Sequence, residues 1–217
     1  MNKKYDTIIF DLDGTITESE LGITNSIKYS LNYFGIQKER ESLKRHIGPS
    51  LSMTFREYLG DDEEQIKLAI EKYREYYTAG GMLENIVYDG VEETLKELKK
   101  RGKTIILASS KPMVFCQKIL DHFDLSKYFD FIGGSNLDET RTKKVEVIEF
   151  SLENINKKAD ENALMVGDRE YDIFGAKELG IDSVGVLYGY GDYEELKNAG
   201  ATYIIEKIDD LLDIEGI

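Results

Sequence analysis

Short apolar runs alternate with amphipathic stretches along most of this chain, and this alternation limits the possible folds more than any other feature. Each apolar run can form a strand that is buried on both faces of a sheet. The predicted strands are Thr7–Phe10, Thr104–Ala108, Ala163–Val166, Ser183–Val186 and Tyr203–Ile205. The stretches with helical spacing are Val91–Lys100, Pro112–His122, Lys144–Asn154 and Tyr171–Leu179. Strands that alternate with helices are typical of a parallel sheet covered on both faces. The sequence therefore predicts an α/β protein with a doubly wound parallel sheet.

One section interrupts this alternation. Between Ile16 and Gly81 the sequence predicts no strand, only helical patterns over Leu21–Phe34 and Glu63–Tyr77. The glycine pair Gly80-Gly81 precedes the return to the alternating pattern. We therefore expect an all-helical domain of residues 16–82, inserted into an α/β core of residues 1–15 and 83–217.

The charge balance limits the partners of the chain. Its 217 residues include 28 basic and 42 acidic ones, for a net charge of −14. Such a surface repels nucleic acid and anionic membranes, and it would repel a phosphate substrate unless a cation reversed the charge locally. The single cysteine, Cys116, excludes an intramolecular disulfide and a cysteine-built metal site. No apolar run reaches the roughly 18 residues of a membrane span. We expect a cytoplasmic monomer or homodimer that acts on a small molecule.

Polar residues follow three of the predicted strands. The run Ile8-Ile9-Phe10 leads directly into Asp11-Leu12-Asp13, Ser109-Ser110-Lys111 follows the next strand, and Gly167 to Asp172 follow a third. A pair of lysines, Lys143-Lys144, begins a predicted helix. Ligands of open α/β sheets bind at the carboxyl ends of the strands. These side chains are therefore expected to converge.

Carboxylates without histidine or cysteine partners favour a hard cation such as Mg²⁺, which would offset the cost of placing aspartates at the edge of an apolar core. A cation, a nucleophile and an acid are what phosphoryl transfer requires. Each motif alone can also be explained by local structure without any catalytic role. The Asp-x-Asp pair can be a turn, Ser109-Ser110 can be the N-terminal residues of a helix, and Lys143-Lys144 can be a solvated helix start. Their joint placement at strand ends favours a phosphoryl-transfer site.

The order of these motifs resembles that of the haloacid dehalogenase superfamily of phosphohydrolases, close to the branch that includes phosphoglycolate phosphatases. The first motif is Asp11-Leu12-Asp13-Gly14-Thr15, and the second is Ser109 followed by Ser110-Lys111-Pro112. The third is a lysine, best matched by Lys144, with Lys143 as the adjacent alternative. The fourth is Gly167-Asp168-Arg169-Glu170-Tyr171-Asp172.

The resemblance implies catalytic roles. Asp11 would attack phosphorus and become an aspartyl-phosphate, while Asp13 would protonate the leaving oxygen and later deprotonate water. Ser109 and Lys144 would bind the phosphoryl oxygens, and a backbone amide near Ser110 could add a donor.

The resemblance also implies Mg²⁺ as the cofactor. Its ligands would be the Asp11 carboxylate, the Asp13 backbone carbonyl and Asp168. Asp172 would act on the metal through water, and it would also steady the lysine.

A Rossmann-like core with a helical cap of residues 16–82 is the architecture that the resemblance implies. Cap residues would choose the leaving group. Lys44 and Arg45 are candidates to hold a carboxylate or second phosphate of the substrate, and a solvated helix end is the alternative reading of the same residues.

Three departures bear on the activity. Relatives often have proline after the third-motif lysine, where this chain has Val145. Asp13 argues against dehalogenase chemistry. Mutases of the β-phosphoglucomutase type usually carry a histidine near the position of Ile23. We therefore predict a Mg²⁺-dependent phosphatase acting on a small phosphomonoester, phosphoglycolate-like or another small metabolite. A phosphosugar mutase and a non-catalytic binding module of the same fold are the alternatives.

Overall fold

The structure, a computed structural model, describes residues 4–217. Its strands and helices are, in chain order, β1 (Thr7–Phe10), β2 (Thr17–Glu18), α1 (Glu20–Tyr33), α2 (Leu51–Leu59), α3 (Glu63–Ala79), β3 (Ile86–Val87), α4 (Val91–Lys100), β4 (Thr104–Pro112), α5 (Met113–His122), β5 (Phe131–Ser135), α6 (Lys144–Asn154), β6 (Ala163–Gly167), α7 (Glu170–Glu178), β7 (Asp182–Val186), α8 (Tyr193–Ala199) and β8 (Tyr203–Ile205). Short 3-10 helices cover Arg40–His46, Gly81–Leu83, Ser126–Tyr128 and Ile208–Asp213.

Six strands form one parallel sheet, which confirms the predicted doubly wound α/β class. Their order is β5-β4-β1-β6-β7-β8, and β1 pairs in register with β4 and β6 on its two sides. The chain moves from β1 toward one edge of the sheet and from β6 toward the other. A sheet of this kind opens a crevice where the direction changes, here outside the carboxyl ends of β1 and β6.

Alternate residues of the central strands bury both faces of the sheet. Ile9, Ile106 and Met165 pack with residues of α6 and α7 in one cluster, which includes Val147 and Ala176. The intervening strand residues, such as Ile8, Ile105 and Leu164, are equally buried, and α4 and α5 pack against β4. Burial on both faces of the sheet explains why the sequences of these strands are continuous apolar runs.

The described chain divides into two compact units. One contains residues up to Thr17 together with Val87–Ile217, and the other contains Glu18–Ile86. The second unit is helical apart from its ends, with α1 and α2 both packed against α3. Its bounds differ by a few residues from the 16–82 expected from the sequence. The role of this unit as a cap stays a prediction.

Several expectations of local structure were wrong. β5 was not predicted, because Phe131–Ser135 contains the glycine pair Gly133-Gly134 and glycine is depleted in strands. The helices α2 and α8 were also not predicted. The statement that no strand lies between Ile16 and Gly81 was wrong for Thr17–Glu18, which pairs with Ile86–Val87. Two residues are too short to show an alternating pattern.

In residues 4–217, every helix is too short or too polar to cross a lipid bilayer.

Candidate active site

Asp11 and Lys144 meet at the carboxyl end of β1. Asp11 directly follows β1 and is 8% exposed. Lys144, the first residue of α6, is 7% exposed, and its ammonium donates to Asp11 Oδ1 at 2.8 Å and to the Ala108 carbonyl oxygen at 3.0 Å. The adjacent Lys143 precedes the helix and is exposed. Of the two candidate lysines, the structure therefore places Lys144 at the site.

Lys144 contacts a second buried carboxylate, since its Nζ lies 2.7 Å from Asp172 Oδ1. Burial alone would lower the pKa of Lys144, but the charges of Asp11 and Asp172 outweigh burial and raise it. Lys144 is therefore fully protonated at neutral pH. Burial raises the pKa of Asp172 to about 6, against the opposing charge of Lys144.

Asp168 follows β6 and is fully buried. Its Oδ2 accepts a hydrogen bond from the backbone N–H of Tyr190 at 2.8 Å, and the Thr15 hydroxyl lies 3.5 Å from its Oδ1. The surrounding backbone leaves little space: a Cβ at Gly14, where φ is +85°, would lie 2.1 Å from Asp168 Oδ2. A Cβ at Gly189 would lie 2.4 Å from Asp168 Cβ. Both glycines thus permit the close approach that holds Asp168 in place.

The three buried carboxylates form a group that fits a hard cation. One oxygen each from Asp11, Asp168 and Asp172 lies within 4.8 Å of the others. Burial raises the pKa of Asp168 well above its ordinary value, and the charges of Asp172 and Asp11 raise it further. Lys144 brings one positive charge against three carboxylates, so negative charge stays in excess. Oxygen ligands with excess negative charge are the donor set that Mg²⁺ prefers.

Asp13 and Ser109 lie beside this group. Lys111 donates from Nζ to Asp13 Oδ1 at 2.6 Å. Ser109 is 2% exposed, and its hydroxyl oxygen accepts from the Lys111 backbone N–H at 3.3 Å. This leaves the hydroxyl proton of Ser109 available for donation to a ligand. Ser110 is partly exposed within β4, a strand that extends through Pro112 and not only to Ala108 as the sequence had indicated.

The two candidate substrate ligands of the helical unit are paired with acidic residues. Lys44 lies 3.2 Å from Glu20 Oε2 and 2.9 Å from Glu41 Oε2. Arg45 is 63% exposed and pairs with Glu57. The proposed substrate contacts of Lys44 and Arg45 stay predictions.

Sequence reasoning missed three partners of the site. Lys111 was identified only as part of the second motif and was given no role, although a lysine next to the end of a strand could have indicated a partner for a carboxylate of the site. The backbone carbonyl of Ala108 and the backbone N–H of Tyr190 could not be found, because main-chain groups leave no mark on the residue type.

Comparison with known families gives a match over most of the chain. The family model described as haloacid dehalogenase-like hydrolase matches residues 8–186. This range spans β1 through β7, and it contains Asp11, Ser109, Lys144 and Asp168.

Named relatives cover nearly the whole chain. A 5'-nucleotidase from Pseudomonas aeruginosa is 42% identical over 89% of this chain and 88% of its own length. The tyrosine-protein kinase PtkA of Mycobacterium tuberculosis is 36% identical over 97% of this chain and 72% of its own length. Phosphoglycolate phosphatases and pyrophosphatases named PpaX also match. A crystal structure described as a predicted phosphatase from Clostridium acetobutylicum superposes with a TM-score of 0.93 at 50% identity, covering 97% of each chain.

Proposed function

Because this chain belongs to the haloacid dehalogenase-like hydrolase family and is a phosphatase within it, we propose that it hydrolyses a small phosphomonoester with Mg²⁺, through an aspartyl-phosphate on Asp11. The observation that carries the proposal is the buried contact of Lys144 with both Asp11 and Asp172, beside Asp168. This arrangement supports Asp11 as the nucleophile, because a buried carboxylate lies beside an ammonium group at the edge of the sheet where ligands bind.

Asp11 acts as the nucleophile. One of its carboxylate oxygens forms a bond to phosphorus while the bond from phosphorus to the leaving oxygen breaks. Lys144, held against Asp11 Oδ1 at 2.8 Å, orients the carboxylate. Its ammonium and the Ser109 hydroxyl then offset the negative charge that develops on the phosphoryl oxygens.

Asp13 carries the protons in this scheme. It gives a proton to the leaving alkoxide during the first step, and it takes one from the water that attacks the aspartyl-phosphate in the second. The second step releases phosphate and restores the carboxylate of Asp11. Its position two residues from Asp11 and its 12% exposure support this role.

The metal would be held by the Asp11 carboxylate, Asp168 and the Asp13 backbone carbonyl. When bound, Mg²⁺ supplies positive charge that allows a carboxylate and a phosphate to approach each other. Asp172 has its Oδ1 against Lys144 and its Oδ2 against the Arg169 backbone N–H at 3.1 Å. Because both of its oxygens have these partners, we propose that Asp172 orients Lys144 and does not bind the metal directly.

The substrate class comes from the relatives. The names 5'-nucleotidase and phosphoglycolate phosphatase both describe hydrolysis of a small phosphomonoester, and that shared chemistry is what we propose for this chain. We also propose that residues 16–82 act as the cap that selects the leaving group. A cytoplasmic location is consistent with a soluble metabolite as substrate.

A panel of phosphate esters tests the proposal. It contains adenosine 5'-monophosphate, 2-phosphoglycolate, glycerol 3-phosphate, β-glucose 1-phosphate and p-nitrophenyl phosphate, each assayed for phosphate release with Mg²⁺ or with EDTA. We expect Mg²⁺-dependent release from at least one alkyl phosphate and none from Asp11→Asn. Conversion of β-glucose 1-phosphate to the 6-phosphate without release would instead show a mutase. Failure of every ester to react, with or without metal, would favour the binding module.

A further inference from the structure

A second lysine–carboxylate pair lies beside the pair of Asp11 and Lys144. Lys111 Nζ is 2.6 Å from Asp13 Oδ1, and the two side chains are only 7% and 12% exposed. Each of the two aspartates that flank Leu12 therefore has its own ammonium partner. The proposed reaction assigns a role to Lys144 and none to Lys111.

The backbone around Lys111 is fixed by the strand that carries it. The pairing of β4 with β5 shifts register between Ser109 and Pro112, so Lys111 lies in an irregular segment of the strand. Its N–H donates to the Ser109 hydroxyl oxygen at 3.3 Å, and the buried Cys116 thiol lies 3.5 Å from its carbonyl oxygen. A Cβ at Gly134 would lie 2.6 Å from that same carbonyl oxygen, so β5 also approaches closely. Lys111 thus contacts Asp13 from a backbone segment that packs closely against β5 and α5.

The contact orients the carboxyl group of Asp13. A charge-assisted hydrogen bond is short and directional, and at 2.6 Å it fixes Oδ1. Oδ2 is then the oxygen that can carry the proton. A proton donor must lie within hydrogen-bond reach of the oxygen that it protonates, and small errors in such placement cost rate.

We propose that Lys111 is a positioning residue for proton transfer, which holds Asp13 Oδ1 so that Oδ2 faces the leaving oxygen. This inference rests on the proposed phosphatase function. In the step concerned, the bond between Asp11 and phosphorus forms and the bond from phosphorus to the leaving oxygen breaks. The proton on Asp13 Oδ2 passes to that oxygen, and Asp13 becomes a carboxylate that stays paired with Lys111.

The test compares leaving groups that do and do not need a proton. Lys111→Met removes the charge and keeps most of the volume. The value of kcat/KM is measured for p-nitrophenyl phosphate and for the alkyl phosphate that the wild type hydrolyses fastest in the panel above. This quantity reports steps up to departure of the leaving group, so hydrolysis of the aspartyl-phosphate does not affect it. Lys118→Met, an exposed lysine on α5, is the matched control.

General acid catalysis contributes about 10²–10⁴-fold, and loss of its positioning should remove part of that, on the order of 10-fold or more. We expect Lys111→Met to lower kcat/KM for the alkyl phosphate by at least this factor, and for p-nitrophenyl phosphate by less than about threefold. Lys111→Arg, which keeps a charge, should restore part of the loss. Lys118→Met should leave both values at the wild-type level.

A double-mutant cycle separates this role from a structural one. If Lys111 acts through Asp13, adding Lys111→Met to Asp13→Asn should change kcat/KM for the alkyl phosphate little further. If the double variant instead loses the product of the two single losses in kcat/KM, the inference is overturned, because Lys111 and Asp13 would then act independently. Equal losses on both substrates, or an equal rise in KM on both, would also overturn it, since Lys111 would then bind the phosphoryl group or only support the fold.

If Lys111→Met does not fold, Lys111→Gln replaces it, and the same comparison of kcat/KM for the alkyl phosphate with kcat/KM for p-nitrophenyl phosphate is made. If the wild type hydrolyses no ester of the panel, the proposed function fails. If the wild type does hydrolyse an ester but the variant has an unchanged ratio of kcat/KM for the alkyl phosphate to kcat/KM for p-nitrophenyl phosphate, only the role of Lys111 is wrong.

Discussion

Replacing Lys144 with methionine tests the electrostatics of the site, because it removes one charge and keeps most of the side-chain volume. The side chain of Lys144 is 5% exposed, with Nζ 2.8 Å from Asp11 Oδ1 and 2.7 Å from Asp172 Oδ1. Water has little access to replace the ammonium. The two carboxylates would therefore stay buried without their shared partner.

The cost of this change can be worked out from the burial. Removing one partner of a buried ion pair destabilises a protein by about 3–5 kcal/mol. For a chain of this length each kcal/mol lowers the melting temperature by about 2–4 °C, so Lys144→Met should melt about 6–20 °C below the wild type in EDTA at pH 7.5. The deficit should shrink at pH 5, because Asp172, whose pKa is about 6 beside Lys144, is then protonated in the wild type as well, and the lysine offsets one charge fewer.

Thermal denaturation in EDTA, with Lys143→Met as the control, is the assay. Lys143 is the exposed neighbour in sequence, and its replacement should change stability by no more than about 0.5 kcal/mol. Adding Asp172→Asn to Lys144→Met should recover part of the loss, since the double variant buries one charge fewer. Melting of Lys144→Met within about 2 °C of Lys143→Met, or additive losses in the double variant, would show that Lys144 does not stabilise the two buried carboxylates.

Two other predictions concern stability. Between an unfolded pKa of 3.8 and a folded pKa of about 6 for Asp172, the folded chain holds a proton that the unfolded chain has released. Asp172 should therefore make the wild type less stable as pH rises from about 4 to 6 in EDTA. The melting temperature of Asp172→Asn measured in parallel isolates this contribution, and parallel curves for the two proteins would contradict it. In the helical unit, Gly22→Ala should cost about 1–3 kcal/mol, because the new Cβ would lie 2.0 Å from the Gly81 carbonyl oxygen. Gly80→Ala is the control for urea denaturation, since a Cβ there meets no atom within 4 Å, and equal stability of the two variants would show that the close approach is not needed.

The sheet could be predicted largely because its central strands are buried on both faces. The predicted bounds of β1 and β8 agree with the structure, and α4 and α6 also begin and end as predicted. β5 could not be found in this way, because its glycines make room for other groups. A Cβ at Gly133 would lie 1.9 Å from the Ser151 hydroxyl oxygen. A tertiary contact of this kind outweighs strand propensity and leaves no periodic pattern in the sequence.

Convergence of the site could also be predicted, since parallel strands bring their carboxyl ends to one edge. The choice between Lys143 and Lys144 could not be made from the sequence, because both lie at the start of the same helix. Lys143 has an extended backbone just before α6, and the structure places only Lys144, the first residue of the helix, against Asp11. The pairing of Lys111 with Asp13 depends on the register shift in β4, which local sequence does not reveal.

Chemical trapping of the phosphorylated enzyme tests whether Asp11 is the nucleophile. The enzyme is mixed with Mg²⁺ and p-nitrophenyl phosphate. The leaving group of this ester needs no proton, so we expect transfer to Asp11 to be fast and the aspartyl-phosphate to accumulate. The mixture is quenched during turnover and reduced with borohydride, which converts an acyl phosphate to an alcohol, and the peptides are sequenced by mass spectrometry. We expect reduction at Asp11 in the wild type and at no residue in Asp11→Asn. Reduction at another carboxylate, or rapid turnover that leaves Asp11 unmodified, would contradict it.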